Sequence, residues 1–193
     1  MEKDDVISIL AIKEGTQAID KNAYANHSEL KEVNLPDSII EMGASSFLGC
    51  TNLEKIKLPK HLKKIGTYCF FDCNHLSEIT WPEDLEIIES RAFRNCSSLK
   101  KIVLPDTITE IQYGAFEKCK SLKSITLSKN CKKIGISCFA GCNNLSEIIW
   151  PEDLEIIDEC AFEDCSSLKK IVFPNNLTEI KWFAFNDCDN LQE

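Results

Sequence analysis

The chain has 193 residues, of which 44% are hydrophobic and 27% are charged, as in a folded globular protein. Its 22 Lys and Arg residues are outnumbered by 31 Asp and Glu residues, and the net charge of −9 argues against nucleic-acid or anionic-lipid binding. No apolar run approaches the ~18–20 residues of a membrane-spanning helix. We therefore expect no nucleic-acid partner and no membrane insertion.

Residues 1–29 are the first predicted element, a degenerate repeat that caps the N-terminal end of the array following it. Its apolar residues fall on the pattern of the later repeats, but Lys13 and His27 replace the Pro and the Cys of that pattern. Terminal repeats of a solenoid are atypical because one of their faces meets water. The apolar stretch after Asp4 and Asp5 leads to no small-residue cleavage site, so we expect no secretory signal.

Residues 30–190 are seven regular repeats of 23 residues with no insertion or deletion, and residues 191–193 begin a ninth repeat. Each repeat starts with Leu, here called position zero, and has aliphatic residues at positions three and twelve. Pro occupies position six in all repeats except one, where Ser128 stands. Phe recurs at position seventeen and Cys at position twenty, namely Phe47, Phe70, Phe93, Phe116, Phe139, Phe162 and Phe185, and Cys50, Cys73, Cys96, Cys119, Cys142, Cys165 and Cys188.

The pattern within one repeat predicts its local structure. The opening L-x-x-I-x-L alternates with period two, which predicts a half-buried strand that the following Pro ends. A-F-x-x-C predicts one helical or 3-10 turn, and position twelve predicts a second, short extended segment. A unit this small buries its apolar side chains only against its neighbours. Eight repeats are therefore expected to stack as a parallel-strand solenoid of roughly 40 Å at about 4.8 Å per strand.

The fixed offsets of Pro, Ala-Phe and Cys resemble those of the BspA-like, or Treponema pallidum type, leucine-rich repeats over nearly the whole chain. The resemblance implies a leucine-rich repeat solenoid with parallel strands on the concave face and short helical or 3-10 turns and irregular segments on the convex side. It also implies a non-enzymatic surface array, adhesin-like, that binds a host or extracellular matrix protein. The alternative is an intracellular protein-interaction scaffold in the cytoplasm, which the missing signal and many unpaired thiols favour.

The eleven cysteines leave several interpretations open. Their odd number excludes a complete intramolecular disulfide framework. A stack of free, buried thiols is the simplest interpretation. Cys69 with Cys73, and Cys138 with Cys142, have a C-x-x-x-C spacing, but structural zinc needs four convergent ligands. Cys160 falls outside the core positions and is a candidate exposed thiol.

Two outward-facing positions of each strand form the candidate partner-binding surface. Position two largely alternates in charge between repeats, and position four becomes apolar toward the C-terminus. A charge ladder that fixes strand register and plain strand propensity explain these patterns without a partner, whereas an exposed apolar strip is also typical of a contact surface. The residues assigned to a partner are Lys57, Lys101, Val103, Thr126, Ile149, Lys170 and Val172.

Aromatic residues outside the core pattern are candidate interface anchors, since such side chains dominate binding energies at interfaces. Phe71 is one of these residues, and those assigned as anchors are Tyr68, Tyr113, Trp182 and Phe183. Trp182 and Phe183 alternatively fold over the open C-terminal end. That end, where Leu191 starts a further repeat, predicts either a fragment of a longer array or self-association between molecules.

Catalytic, cofactor and metal sites are not predicted. The three histidines, His27, His61 and His75, have no recognisable nucleophile or carboxylate paired with them in the sequence, and no glycine-rich phosphate loop occurs. We therefore expect a binding protein and not an enzyme, without a cofactor.

Overall fold

The computed structural model describes residues 9–192, and within them it is a parallel-strand solenoid of about seven turns without a helix. The first eight residues of the predicted cap, Ile7 among them, and Glu193 lie outside the described residues. The strands are β1 (Ile9–Ala11), β2 (Ala18–Ile19), β3 (Glu32–Asn34), β4 (Glu41–Met42), β5 (Lys55–Lys57), β6 (Lys64–Ile65), β7 (Glu78–Thr80), β8 (Ile87–Ile88), β9 (Lys101–Val103), β10 (Glu110–Ile111), β11 (Ser124–Thr126), β12 (Lys133–Ile134), β13 (Glu147–Ile149), β14 (Ile156–Ile157) and β15 (Glu179–Ile180).

The strands form two faces, and each repeat contributes one strand to each face, except the last repeat, which has no strand on the concave face. The three-residue strands β1, β3, β5, β7, β9, β11 and β13 lie on the concave face, and the two-residue strands lie on the second face. Every pairing is parallel and joins residues 23 apart, as in Val33 with Ile56. The middle residue of each concave strand points inward because side chains alternate along a strand, so its two neighbours face solvent.

The core is a continuous column of repeated side chains. The rings from Phe47 to Phe185 stack with centroids 5.2 to 5.7 Å apart, and Tyr24 of the first turn extends the stack 5.3 Å from Phe47. The Leu, Ile and Cys positions predicted to point inward are almost all buried around this column. Each turn therefore completes the core of its neighbours, as expected for a solenoid.

The prediction of a helical or 3-10 turn at A-F-x-x-C is wrong. Two positions in every turn, fifteen and nineteen, have left-handed φ, as Tyr68 (56°) and Asp72 (61°) show. A left-handed residue interrupts a right-handed helix. Between these positions, the N–H of Phe70 donates to the carbonyl of Ala92 in the next turn (2.8 Å). Directly after them, the N–H of Cys73 donates to the carbonyl of Phe70 (3.2 Å). The segment is thus a run of tight turns cross-linked to its neighbour.

The concave strands form two sheets instead of one, since β7 does not pair with β9. The break follows Trp81, and a second loss of pairing, between β13 and residues 170–172, follows Trp150. In both places Trp occupies position five, where most repeats have Leu, and its indole packs edge-on against Phe93 or Phe162 at 5.5 Å. We attribute the two breaks to this larger side chain, which also leaves Ile79 and Ile148 less buried than their counterparts.

Candidate functional site

The C-terminal half of the concave face carries an exposed apolar strip. Strand register places Val103, Thr126 and Ile149 side by side on β9, β11 and β13. Val103 and Ile149 are 50% and 52% exposed, although both are aliphatic, and Val172 beyond them is 73% exposed. Adjacent strands lie about 4.8 Å apart, so these side chains form one surface, as the sequence predicted for position four.

A groove borders this strip at the ends of β11 and β13. Its volume is about 430 Å³, and its apolar wall is formed by Thr126, Ile149 and Trp150. The opposite rim is polar: Lys129 pairs with Asp106 at 2.8 Å, and Asp153 accepts a hydrogen bond from Asn176 at 3.0 Å. We call the surface of Val103, Thr126, Ile149 and Val172, together with this groove, the concave strip.

The remaining residues assigned to the concave face lie apart from the strip. Lys57 belongs to β5 in the N-terminal sheet, where its Nζ is 4.0 Å from Asp37. Lys101 lies on β9 at the edge of the strip, opposite Ser124. Lys170 is exposed in a segment that forms no strand. The structure thus brings together the apolar members of the predicted set and distributes its lysines over three places.

The four aromatic anchors separate into two groups. Tyr68 and Tyr113 meet on either side of Arg91, whose Nη1 and Nη2 donate to their hydroxyl oxygens at 2.6 and 2.9 Å. Trp182 and Phe183 are 78% and 61% exposed in the last turn. Arg91 was missed by the sequence analysis, although it is one of only two arginines in the chain. That scarcity was the available signal.

All eleven cysteines are free thiols, and ten of them are buried. Each Cys at position twenty donates its S–H to a backbone carbonyl of the preceding turn, as Cys119 does to Phe93 at 3.3 Å. Burial raises the pKa of the Cys119 thiol to about 12, so it stays protonated and unreactive at neutral pH. Cys160 alone is partly exposed, and burial together with Glu163 raises its pKa as well.

Asp158 is the one buried carboxylate among the described residues, and it lies between two lysines. Its oxygens are 2.7 Å from Lys133 Nζ and 3.0 Å from Lys181 Nζ, and one accepts the N–H of Glu159. Burial acts to raise the pKa of Asp158, but the hydrogen bonds from Lys133 and Lys181 prevail and lower it. In residues 9–192 no three His, Cys, Asp or Glu side chains converge as a metal site, and no helix suited to crossing a membrane is present there.

Comparison with known proteins agrees with this architecture. The model of the BspA type leucine rich repeat region matches residues 3–121 and 87–193, in six copies. The chain belongs to the BspA-type leucine-rich repeat family. A leucine rich repeat protein of T. pallidum has 31% identity and a TM-score of 0.78, with 83% of this chain and 78% of that chain covered.

Two further solved leucine-rich repeat structures are of chains longer than this one. A leucine-rich repeat protein of Bacteroides ovatus has 29% identity and a TM-score of 0.71, and a leucine rich cell surface protein of Faecalibacterium prausnitzii has 27% and 0.59. Each match covers 96% of this chain but only 60% and 58% of the relative. No curated protein matches the chain. Proteins with this repeat are typically non-enzymatic scaffolds for protein interaction and are often surface-associated.

Proposed function

We propose that the chain is a surface, adhesin-like array that binds a host or extracellular matrix protein through the concave strip. The observation that carries the proposal is the register of Val103, Thr126 and Ile149, which gives one exposed apolar surface on an otherwise polar sheet. Burial of such a strip against a partner is favourable in proportion to its area. The surface location rests on the family and on the Faecalibacterium relative, whose description is that of a cell surface protein.

The assigned lysines have a secondary role in this proposal. Lys101 and Lys170 flank the apolar strip, and charged side chains at the rim of an interface chiefly affect the association rate. Lys57 lies on the N-terminal sheet, outside the strip. We therefore expect the apolar residues to determine affinity, and Lys101 and Lys170 to determine the salt dependence of association.

A matched pair of triple variants tests the strip. Val103→Asp, Ile149→Asp and Val172→Asp add three negative charges to it, and Ala11→Asp, Asn34→Asp and Thr80→Asp add three in the same column of the N-terminal sheet. Binding to immobilised matrix proteins should fall at least about 30-fold for the first variant only, because a central apolar contact contributes about 2 kcal/mol or more. Equal affinities of the two variants would reject the concave strip as the site.

The competing function is an intracellular protein-interaction scaffold, and the specific observation in its favour is the set of eleven free thiols. Labelling intact source cells with a membrane-impermeant amine reagent separates the two. Modification of the protein before lysis supports the surface array. If the protein is labelled only after the cells are opened, the intracellular scaffold is supported and partners are to be sought in the cytoplasm, whatever the concave strip binds.

Self-association is a second proposed property, and it rests on the last turn. Val172, Ile180, Trp182 and Phe183 are each at least 47% exposed there. Apolar surface of this kind pairs readily with a second copy. Light scattering over a dilution series should show a mass that falls with dilution, and Trp182→Ser with Phe183→Ser should abolish the larger species. A strictly monomeric parent protein would exclude this property.

The domain limits also remain a proposal: a cap at residues 1–29, regular repeats at 30–190 and the start of another at 191–193. The described part of the cap is folded like a repeat, since β1 and β2 pair in register with β3 and β4. Limited proteolysis tests whether the cap is part of the array. Because the cap is joined to the next repeat by this strand pairing, cleavage should release it no faster than it releases a neighbouring repeat.

A further inference from the structure

The flank of the solenoid that follows the second face carries an arginine between two tyrosines. Arg91 donates from Nη1 to Tyr68 Oη (2.6 Å) and from Nη2 to Tyr113 Oη (2.9 Å), and its guanidinium carbon lies 4.6 Å from the centre of the Tyr113 ring. Gly114 makes room for it, since a Cβ there would come within 3.3 Å of Arg91 Cγ. The cation is therefore held in one orientation by contacts from both neighbouring turns.

This cation has unused hydrogen-bonding capacity. A guanidinium has five N–H donors, and Arg91 uses one from Nη1 and one from Nη2 on the tyrosines, while its Nε is buried without a hydrogen-bond partner within residues 9–192. The second N–H of Nη1 and that of Nη2 are therefore the donors left for a ligand. No carboxylate of the described residues lies within 4.0 Å of Arg91, and only the phenol oxygens are near enough to accept from it. Arg94 differs in having a carboxylate beside it, since its Nε is 2.9 Å from Glu117 Oε2, although among residues 9–192 this Nε also makes no hydrogen bond of good geometry. Arg91 is thus an immobilised positive charge without a counter-ion in the part of the chain that the structure describes.

The tyrosines add two more donors. Each phenol oxygen accepts an N–H of Arg91, so its own O–H remains available to a further acceptor. Tyr113 is 39% exposed and lies beside Ile136, which is 40% exposed, in a shallow cavity of about 240 Å³ whose other side carries Glu110, Lys133 and Asp158. The surface therefore offers clustered donors around one positive charge, next to an apolar patch.

The chain contains an internal control that lacks this cluster. Residues 76–103 and 145–172 differ at six of 28 positions, and five of the six fall between residues 89 and 95. Arg91 corresponds to Cys160 and Arg94 to Glu163, yet the backbone is the same, with φ of 56° at Arg91 and 53° at Cys160. The fold accepts other residues at these places, so the arginine cluster is not a requirement of the repeat.

We propose that Arg91, Tyr68 and Tyr113 form a second binding site, which takes a carboxylate side chain from an acidic peptide segment of a protein partner. A planar guanidinium binds carboxylate through two parallel hydrogen bonds. The single positive charge of Arg91 matches the single negative charge of a carboxylate. An apolar residue beside the carboxylate fits the patch of Tyr113 and Ile136. The site is separate from the concave strip and does not depend on the function proposed for it.

Titration followed by NMR tests this site directly. The chain has two arginines and three tyrosines, so the Nε–H and ring signals of Arg91, Tyr68 and Tyr113 are few and assignable. The probe is acetyl-Glu-Phe-amide, and its control is acetyl-Gln-Phe-amide. We expect saturable shifts of the Arg91 and Tyr113 signals with the acidic peptide, at least about tenfold weaker binding of the control, and no shift at Arg94, because charge-assisted hydrogen bonds are lost with the amide.

Variants and a competing anion complete the test. Arg91→Gln should abolish the shift of the Tyr113 ring while Arg94→Gln preserves it, with unchanged thermal unfolding of Arg91→Gln showing that the fold is intact. Equal binding of both peptides, equal shifts at Arg94, or a Tyr113 response that survives Arg91→Gln would overturn the proposal. Tighter binding of sodium sulfate than of the acidic peptide would also overturn it, since the site would then not be selective for carboxylate.

Discussion

The two halves of the concave face share their inward residues and differ in the outward ones. Strands β1, β3, β5 and β7 expose mostly polar side chains, with Lys55 paired to Glu78 at 3.0 Å, whereas β9, β11 and β13 expose Val103, Thr126 and Ile149. Their buried residues are nearly interchangeable: Ile56 and Ile125 occupy the same place. The comparison teaches that the repeated residues specify the solenoid, and that the residues that do not repeat make its two outward surfaces different.

Alkaline pH should disrupt both halves together, and this is the largest effect we expect. Burial keeps the thiols protonated in the folded state, as the pKa of about 12 for Cys119 shows, while the unfolded chain releases the protons above its ordinary pKa of 9.0. Unfolding then releases protons, so stability falls as pH rises between about 9 and 12. At pH 10 the Cys119 thiol removes about 1.4 kcal/mol, and a few thiols of this kind approach the whole stability of a domain.

Thermal unfolding monitored by circular dichroism at pH 7, 9 and 10 measures this loss. The matched control is a variant with Cys73→Ala, Cys96→Ala and Cys119→Ala. It should start less stable at pH 7 but lose less stability on going to pH 10, because three of the titrating thiols are absent. An unfolding temperature that does not change up to pH 10 would contradict the burial of the thiols.

Removing one ring from the aromatic stack should lower the free energy of unfolding by the same amount in either half. Phe70 and Phe139 are both fully buried, and each lies 5.2 to 5.7 Å from two stacked neighbours. We expect Phe70→Ala and Phe139→Ala each to lower the free energy of unfolding by about 3–5 kcal/mol. Urea denaturation measures both, and a difference of more than about 1 kcal/mol would mean that the halves do not share one uniform core.

Exchanging a single outward residue between the halves should weaken binding in one half without creating it in the other. Within the duplicated segments of residues 76–103 and 145–172, the concave strands differ only in Thr80 and Ile149. Ile149→Thr should weaken binding to the protein partner about tenfold, because about 1–2 kcal/mol of apolar contact is lost, and Thr80→Ile alone should not create binding. Surface plasmon resonance compares the two, and equal affinity of Ile149→Thr and the parent protein would place the site elsewhere.

The smallest expected effect concerns the boundary between the halves. The N–H of Lys123 donates to Lys100 at 2.8 Å and that of Ser146 to Lys123 at 3.0 Å, but the equivalent N–H of Lys100 makes no such bond across the break. Hydrogen exchange of the Lys100 amide should be faster than that of Lys123. Trp81→Leu, which restores the usual residue at position five, should slow it; an unchanged rate would show that Trp81 does not cause the break.

Much of the fold could be predicted from the sequence because the same weak pattern recurs in every repeat. One alternation of three residues says little, but the same alternation every 23 residues specified the strands, their register and the buried positions. The error at A-F-x-x-C had a physical cause. Left-handed positions such as Tyr68, Arg91 and Cys160 have no common residue type, because the neighbouring turns hold their backbone in place.

The candidate sites also differ in how far the sequence predicted them. The sequence by itself determined the family, the inward column of Phe, Leu, Ile and Cys, and the outward strip of Val103 and Ile149, since strand periodicity decides which side chains share a face. Only the tertiary structure decided that Tyr68 and Tyr113 meet around Arg91 and that the sheet breaks after Trp81. These contacts join side chains of different turns, and their occurrence depends on side-chain length and direction, which a repeat pattern does not encode.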